Sequence, residues 1–258
     1  MVGGPAAQRH DVGRPEQTSS MAVLFDIDDT LLDDRGAQDV YLGRLYSSYR
    51  LEIPYHEDEF RTAWRWSIDH HFARYLRGEV SLTDQRRARI RDVFNRPGMT
   101  DVAADRIVAE FLAEYEASWR LFPDVLQVLN ELRGIALGVI TNGNSEQQIR
   151  KLQRTGILDR FGVVVVSEAI GHAKPAPEIF QNACARLGCG TTSCVFVGDD
   201  WDRDVEGALR AGLSPVWLKR LGVPTDPERT HVPSIESLTA LIERTDLRLL
   251  VGLGTEAS

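Results

Sequence analysis

Hydrophobic and polar positions change their pattern along this chain. Residues 22–27 form a short apolar run interrupted by one acid, which is typical of a strand buried on both faces. Similar runs recur at residues 135–140, 163–166, 194–197 and 215–218. Predicted helices follow or separate them, at about 123–132, from Ser145 onward, and at 176–187, 202–211 and 234–243. Strands alternating with helices predict the α/β class, with a doubly wound parallel sheet covered by helices on both sides.

Residues 35–119 have a different texture. They are rich in Arg, Ala, Leu and Tyr, and the spacing of Phe111, Leu112, Tyr115 and Trp119 is helical. We expect an all-helical module inserted after the first strand. The expected organisation is a disordered leader over 1–20, a core domain over 21–34 plus 120–247, a helical domain over 35–119, and a C-terminal tail over 248–258.

Composition narrows the classes of partner. The 258 residues are 43% hydrophobic and 26% charged, with a net charge of −8, and a field of that sign disfavours nucleic acid and anionic membranes as partners. No apolar stretch approaches the roughly 20 residues that span a bilayer, and the leader lacks the apolar segment of a signal peptide. The expected location is cytoplasmic. Cys184, Cys189 and Cys194 lack zinc-like spacing and are expected to be free thiols.

Polar side chains follow four of the predicted strands. Asp26 and Asp28 come at the end of the first, Thr141 and Asn142 at the end of the second, Lys174 lies in the loop after the third, and Asp199 and Asp204 follow the fourth. Ligands of open α/β sheets bind beyond the carboxyl ends of the strands. We therefore expect these groups to form one site.

The chemistry that suits this set is phosphoryl transfer. Clustered carboxylates repel one another unless a cation joins them, and oxygen ligands favour Mg²⁺. A cation also reduces the charge that opposes attack on a phosphate dianion. Thr141 and Lys174 would supply a hydroxyl and a fixed positive charge for the phosphoryl oxygens.

In order and strand context, the four segments resemble the four motifs of the haloacid dehalogenase superfamily. The resemblance implies that Asp26 is the nucleophile that becomes phosphorylated, and that Asp28 protonates the leaving oxygen and then deprotonates water. It implies a magnesium site made by Asp26, the backbone carbonyl of Asp28, and Asp199. It also implies phosphate binding by Thr141, the Asn142 backbone and Lys174. Asp204 would support the metal shell or orient Lys174.

Asp28 favours phosphatases within the superfamily, because members that cleave carbon–halogen bonds lack this second carboxylate. The helical insert resembles the small cap of members that act on small molecules. Residues 141–152, with Ser167, Glu168 and Gly171, are similar to pyrimidine-nucleotide 5′-monophosphatases and to N-acylneuraminate 9-phosphatases. The implied substrate is a small phosphorylated metabolite, a nucleoside monophosphate or a sugar phosphate, and the expected state is a monomer or homodimer.

Three alternatives stay open at this point. They are a 2-haloacid dehalogenase, a receiver-like phosphoacceptor that does not turn over, and a degenerate interaction protein. Several further residues are read as structural. Asp200 and Asp202 are expected near the site without acting. His70, His71 and Arg74 either reach a substrate or form a wet helical face. The remaining expectations are a solvated face for Arg86, Arg87, Arg89 and Arg91, and packing for Trp64, Trp66 and Trp119.

Overall fold

The computed structural model describes residues 21–220 and 229–254. The strands are β1 (Ala22–Phe25), β2 (Ala136–Thr141), β3 (Val163–Val166), β4 (Cys194–Gly198), β5 (Ser214–Leu218) and β6 (Ser234–Ile235). Within the described residues they form one parallel sheet in the order β3-β2-β1-β4-β5-β6. This confirms the predicted α/β class. The expected leader over 1–20 lies outside the described residues.

Helices occupy the connections between the strands. Their bounds are α1 (Asp34–Ser48), α2 (Glu57–Leu76), α3 (Leu82–Val93), α4 (Asp101–Ala117), α5 (Val125–Glu131), α6 (Ser145–Arg154), α7 (Ser167–Ile170), α8 (Pro177–Leu187), α9 (Glu206–Ala211), α10 (Ala240–Glu243) and α11 (Thr245–Leu250). A π-helical turn, Trp201–Val205, precedes α9. Within the described residues, no helix combines the length and the apolar character needed to cross a bilayer.

The central strand β1 shows why the sheet needs helices on both faces. Its side chains alternate, so Val23 and Phe25 join one apolar cluster while Ala22 and Leu24 join the other. All four are fully buried. The first cluster includes side chains of α5, α6, α10 and α11, and the second includes side chains of α8 and α9. Because both faces are covered, the strands read as continuous apolar runs.

Helices α1 to α4 form a module with its own core, which we call the helical module (residues 34–117). Its centre is aromatic: Phe111 packs edge-on against Tyr41 and Trp64, at centroid distances of 4.5 and 5.2 Å. Polar residues mark the helix starts, since the side chains of Ser81 and Thr100 accept hydrogen bonds from backbone N–H groups of α3 and α4.

The structure differs from the sequence expectations at the C-terminal end. The predicted helix over 234–243 was wrong in its first part, because Ser234 and Ile235 pair with β5 as strand β6. Helix α11 then follows α10, and Val251 is fully buried in the core. Ordered packing therefore extends beyond residue 247, the boundary the sequence indicated. The interpretation of Trp66 as packing was also wrong, since 58% of this residue is exposed.

Candidate active site

A tight turn after β1 presents the first pair of acids. The Asp26 N–H donates to the Val197 carbonyl, which continues the β1–β4 pairing by one residue. The Ile27 carbonyl then accepts N–H groups from the next turn, and Asp29 adopts a left-handed conformation with φ 59°. The chain thus reverses at once beyond the strand. Asp26 is left buried at the carboxyl edge of the sheet, 7% exposed.

The segments after β2 and β3 are joined by a pair of hydrogen bonds. The Asn142 side chain donates to the Lys174 carbonyl at 3.0 Å and accepts from the Lys174 N–H at 2.8 Å. This pair fixes the backbone at Lys174. The Lys174 ammonium then lies 2.6 Å from Asp26 Oδ1 and 2.6 Å from Asp204 Oδ1. Side chains from four strand ends therefore meet at one edge, as the sequence predicted.

Asp204 is held by the turn that follows β4. Its Oδ2 accepts the Asp200 N–H at 3.1 Å, within the π-helical turn. Gly198 makes this approach possible, because a Cβ at that position would lie 2.3 Å from Asp204 Oδ2. A single side-chain atom at Gly198 would displace the carboxylate that contacts Lys174.

The electrostatics around Lys174 favour an ion pair. Burial alone would favour the neutral amine, but the charges of Asp204 and Asp26 outweigh it and raise the pKa of Lys174. Burial also raises the pKa of Asp26 to about 6, against the opposing charge of Lys174. Two carboxylates share one ammonium here, so the negative charge is not fully compensated.

Asp199 adds a third carboxylate to this uncompensated negative charge. Oxygen atoms of Asp26, Asp199 and Asp204 lie within 4.8 Å of one another. Burial, together with the charges of Asp204 and Asp26, raises the pKa of Asp199 to about 9. Three acids with a single shared lysine are a donor set that suits a hard divalent cation. The residues present therefore fit a magnesium ion.

Asp28 points to a different set of partners. Its Oδ1 contacts the Lys151 ammonium, and its Oδ2 accepts from Gln148 Nε2 at 3.0 Å. Lys151 also donates to Asp34 at 3.0 Å, and the Tyr115 hydroxyl donates to the same Asp34 oxygen. Burial raises the pKa of Asp28 to about 6, although Lys151 lowers it. The second carboxyl of the motif is thus set within a buried network.

Sequence reasoning missed the roles of Gln148 and Lys151. The N-cap of α6 is Asn144, and Gln148 Nε2 donates to Asp28 and to the Asn142 carbonyl. One signal was available, because Gln148, Lys151 and Leu152 share one face of α6 by helical spacing. All three are buried.

A cavity of about 420 Å³ lies between the sheet edge and the helical module. Its floor contains the residues described above, and its other wall carries side chains of α1 to α4. Tyr75 of α2 donates to Glu168 at 2.9 Å, and Glu168 also accepts from the Ser145 N–H. The helical module is thus in direct contact with the loops of the site.

The arginines of α3 do not form the solvated face that the sequence indicated. Arg87 and Arg91 do make exposed ion pairs, with Asp105 and Asp101. That expectation was wrong for Arg89, which is 9% exposed and lines the cavity, and Arg86 lines it as well. Helical periodicity separates the two pairs, because positions 86 and 89 lie on the inward face.

The remaining candidate residues lie near the site or away from it. Asp200 lines the cavity but accepts from the Arg203 N–H, and Asp202 is exposed. His70, His71 and Arg74 do not line the cavity, and His71 is buried against Asp92 at 2.6 Å. The expectation that His71 belongs to a solvated helical face was therefore wrong.

The three cysteines meet in space despite their unpromising spacing. Their Sγ atoms lie within 4.8 Å of one another, and all three thiols are free and buried. Burial raises the pKa of Cys189 to about 12, and Cys194 donates to the Gly190 carbonyl. These features favour protonated thiols over metal ligands.

Comparison with known proteins agrees with this geometry. The family model for haloacid dehalogenase-like hydrolases matches residues 21–212. A glyceraldehyde 3-phosphate phosphatase of Methanopyrus kandleri is 34% identical over 213 residues, covering 77% of this chain and 84% of that protein. The N-acylneuraminate-9-phosphatase of Rattus norvegicus is 32% identical over 242 residues, covering 88% and 96%.

Solved structures show the same fold. The crystal structure of a phosphatase of this family from Thermococcus onnurineus superposes with a TM-score of 0.61 at 28% identity, covering 91% of this chain and 99% of that one. The sequence match, the sheet order and the four strand ends that meet at one edge all indicate the same family. This chain belongs to the haloacid dehalogenase-like hydrolases and is an enzyme of their phosphatase branch.

Proposed function

We propose that this enzyme hydrolyses a small phosphomonoester with Mg²⁺ through an aspartyl-phosphate on Asp26. The observation that carries the proposal is the position of Asp26. Its carboxylate lies at the carboxyl edge of the sheet, 2.6 Å from the Lys174 ammonium, on the floor of the cavity. A buried carboxylate beside a fixed positive charge can attack a phosphorus atom whose oxygens that charge binds.

The first step transfers the phosphoryl group to the protein. An Asp26 oxygen forms a bond to phosphorus as the bond from phosphorus to the substrate oxygen breaks. Thr141, the Asn142 backbone and Lys174 bind the phosphoryl oxygens. Asp204 orients Lys174 through its 2.6 Å contact. These groups are held in place before substrate arrives, which is the main source of catalytic stabilisation in phosphoryl transfer.

Asp28 handles the proton in both steps. In the first it donates a proton to the leaving oxygen, and in the second it takes one from the water that attacks the aspartyl-phosphate. A pKa of about 6 suits both tasks near neutral pH, because either form is accessible. The second step breaks the bond between Asp26 and phosphorus and returns the free carboxylate.

Asp26 and Asp199, with the backbone carbonyl of Asp28, would hold magnesium. When bound, the ion would neutralise charge on the phosphate dianion and on the acid cluster. The raised pKa of Asp199, about 9, supports this assignment, because the single positive charge of Lys174 does not compensate three carboxylates. The protein's own task here is to keep three carboxylates together within 4.8 Å.

The helical module acts as a cap that closes the cavity over a small substrate. In this proposal residues 21–34 and the chain from 120 to beyond 247 make the catalytic core, and residues 35–119 make the cap. A cavity of about 420 Å³ is too small for a folded protein substrate and suits a metabolite. A sugar phosphate or a nucleoside monophosphate is the proposed substrate class, in keeping with the phosphorylated metabolites in the names of the relatives.

The test is phosphate release from a panel of sugar phosphates, nucleotides and p-nitrophenyl phosphate, with 2-haloacids alongside. It compares wild type, Asp26→Asn, and Asp202→Asn as a matched control on an exposed acid close to the site. We expect release that needs magnesium, disappears in Asp26→Asn and persists in Asp202→Asn. Trapping with acid should yield a phosphorylated chain from wild type and from Asp202→Asn, but not from Asp26→Asn.

Two outcomes would overturn the proposal. Halide release without phosphate release would indicate a dehalogenase. A phosphorylated Asp26 that survives for hours without turnover would indicate a phosphoacceptor of the receiver type.

A further inference from the structure

Two arginines on the wall of the cavity have no counter-ion among the residues that the structure describes. Arg86 and Arg89 project from α3 into the cavity whose floor holds Asp26. Arg89 is 9% exposed, and its Nε is buried without a hydrogen-bond partner. In the part of the chain that the structure describes, neither guanidinium makes an ion pair or a hydrogen bond. An uncompensated buried charge is costly unless a partner arrives.

The local environment keeps Arg89 in place and charged. Its guanidinium lies over the Trp64 ring at 4.6 Å and near Phe111 at 5.7 Å. Burial, and then the charge of Arg86, lower the pKa of Arg89 to about 10, so Arg89 stays ionised at neutral pH. Beside them, Gln85 Oε1 is also buried without a partner. This wall of the cavity therefore carries buried polar groups that lack hydrogen-bond partners among the described residues.

The acids of the helical module do not supply the missing charge. Asp34 is bound by Lys151 at 3.0 Å, and Asp39 is paired with Arg61 at 3.0 Å. Asp69 also lines the cavity but makes no ion pair with either arginine among the described residues. Glu116 acts on Arg86 only at a distance and is paired with Arg150 and Arg154. An anion in direct contact with Arg86 and Arg89 therefore has to come from outside the described chain.

We propose that Arg86 and Arg89 bind a second anionic group, a carboxylate or a phosphate, on the organic part of the substrate. The inference rests on the proposed function, because the floor of the same cavity takes the phosphoryl group that is cleaved. The substrate is then a phosphomonoester with an anion at each end. Guanidinium groups suit this task, since they bind carboxylate or phosphate oxygens in pairs.

The experiment compares matched substrates. One pair is 3-phosphoglycerate and glycerol 3-phosphate, which differ by a carboxylate in place of a hydroxymethyl group. The other is fructose 1,6-bisphosphate and fructose 6-phosphate, which differ by a second phosphate. For each compound kcat and KM are measured, and each is also tested as a competitive inhibitor of p-nitrophenyl phosphate hydrolysis, so that binding is scored even without turnover.

In at least one pair, wild type should prefer the compound with the second anionic group. The preference should be about 10- to 100-fold in kcat/KM or in inhibition constant, as expected for hydrogen bonds to a charged group. The pair that shows the preference identifies the anion. Arg89→Met keeps the packing on Trp64, and Arg86→Gln alters a half-buried position, so at least one variant should fold. Either should lose the preference mainly through KM, while hydrolysis of p-nitrophenyl phosphate is retained.

Arg87→Gln is the matched control, because Arg87 lies on the same helix and pairs with Asp105 away from the cavity. It should keep the preference. Equal use of both members of each pair by wild type, or a preference that survives in both variants, would overturn the inference while leaving the proposed function intact. Absence of any phosphate release, including from p-nitrophenyl phosphate, would instead indicate failure of the proposed function.

Discussion

The Lys151 ammonium contacts the Asp28 carboxylate from helix α6, more than a hundred residues further along the chain. Lys151 is 2% exposed, and it also donates to Asp34 at 3.0 Å. This contact ties the proposed proton carrier to the base of helix α1, where the helical module begins. One buried lysine thus contacts both the proposed proton carrier and the first residue of the helical module.

Replacing Lys151 should change the pH dependence of the reaction. The positive charge of Lys151 lowers the pKa of Asp28, which is about 6, so Lys151→Gln should raise that pKa. In the proposed first step Asp28 acts as an acid, so kcat/KM falls when Asp28 loses its proton at high pH. A higher pKa of Asp28 should therefore move this descending limb of the pH profile to higher pH. We also expect a fall in rate on the order of 10- to 100-fold. Arg154→Gln, on the exposed side of α6, is the control, and an unmoved limb would contradict the prediction.

The free energy of unfolding should depend on pH in the absence of magnesium. Burial raises the pKa of Asp26 and Asp28 to about 6, of Asp29 to about 7 and of Asp199 to about 9. The native state then binds more protons than the unfolded chain between about pH 4 and pH 9. Stability is therefore full below the unfolded pKa of the carboxyls and is lost as pH rises through the folded values. In EDTA, Tm should fall from pH 5 to pH 8.

Magnesium should reverse part of this loss, because it binds the ionised carboxylates. We expect a larger increase in Tm on adding Mg²⁺ at pH 8 than at pH 5. Asp199→Asn should be more stable than wild type in EDTA at pH 8, and it should gain less from the ion. Equal increases at the two pH values would argue against a cation site at these acids.

Removing the Tyr115 hydroxyl should destabilise the base of the helical module, where α4 contacts the first residue of α1. The hydroxyl donates to Asp34, a buried carboxylate whose pKa Lys151 and Tyr115 lower despite the opposing effect of burial. Tyr115→Phe should reduce the free energy of unfolding by about 1.5–3 kcal/mol, the range for a hydrogen bond to a charged group. Urea denaturation measures this. Tyr55→Phe is the control, and a similar loss there would indicate a general effect of hydroxyl removal.

Asp204→Asn tests whether Asp204 orients Lys174. The amide would keep an acceptor for the Asp200 N–H but would place no charge 2.6 Å from the Lys174 ammonium. A displaced lysine should lower kcat/KM by roughly 100-fold, a loss typical of misplaced catalytic groups. Steady-state kinetics beside Asp202→Asn provide the comparison, and wild-type kinetics in Asp204→Asn would exclude the orienting role.

The sequence by itself determined the α/β class and the composition of the sheet edge. Buried parallel strands must be apolar, and their carboxyl ends must share one edge, so Asp26, Thr141, Lys174 and Asp199 could be grouped from local pattern alone. Their order along the chain also indicated the family.

Only the tertiary structure decided which side chains complete the site. Lys151 reaches Asp28 because α6 packs its buried face on the loop after β1, and no local pattern encodes that distance. The sequence does not distinguish Arg89 from the other three arginines of α3. Arg89 faces inward because α3 packs with this side chain over the Trp64 ring. Ser234 and Ile235 likewise form strand β6 because they pair with β5 in the sheet. Local periodicity specifies which face of an element is buried, whereas packing specifies what that face contacts.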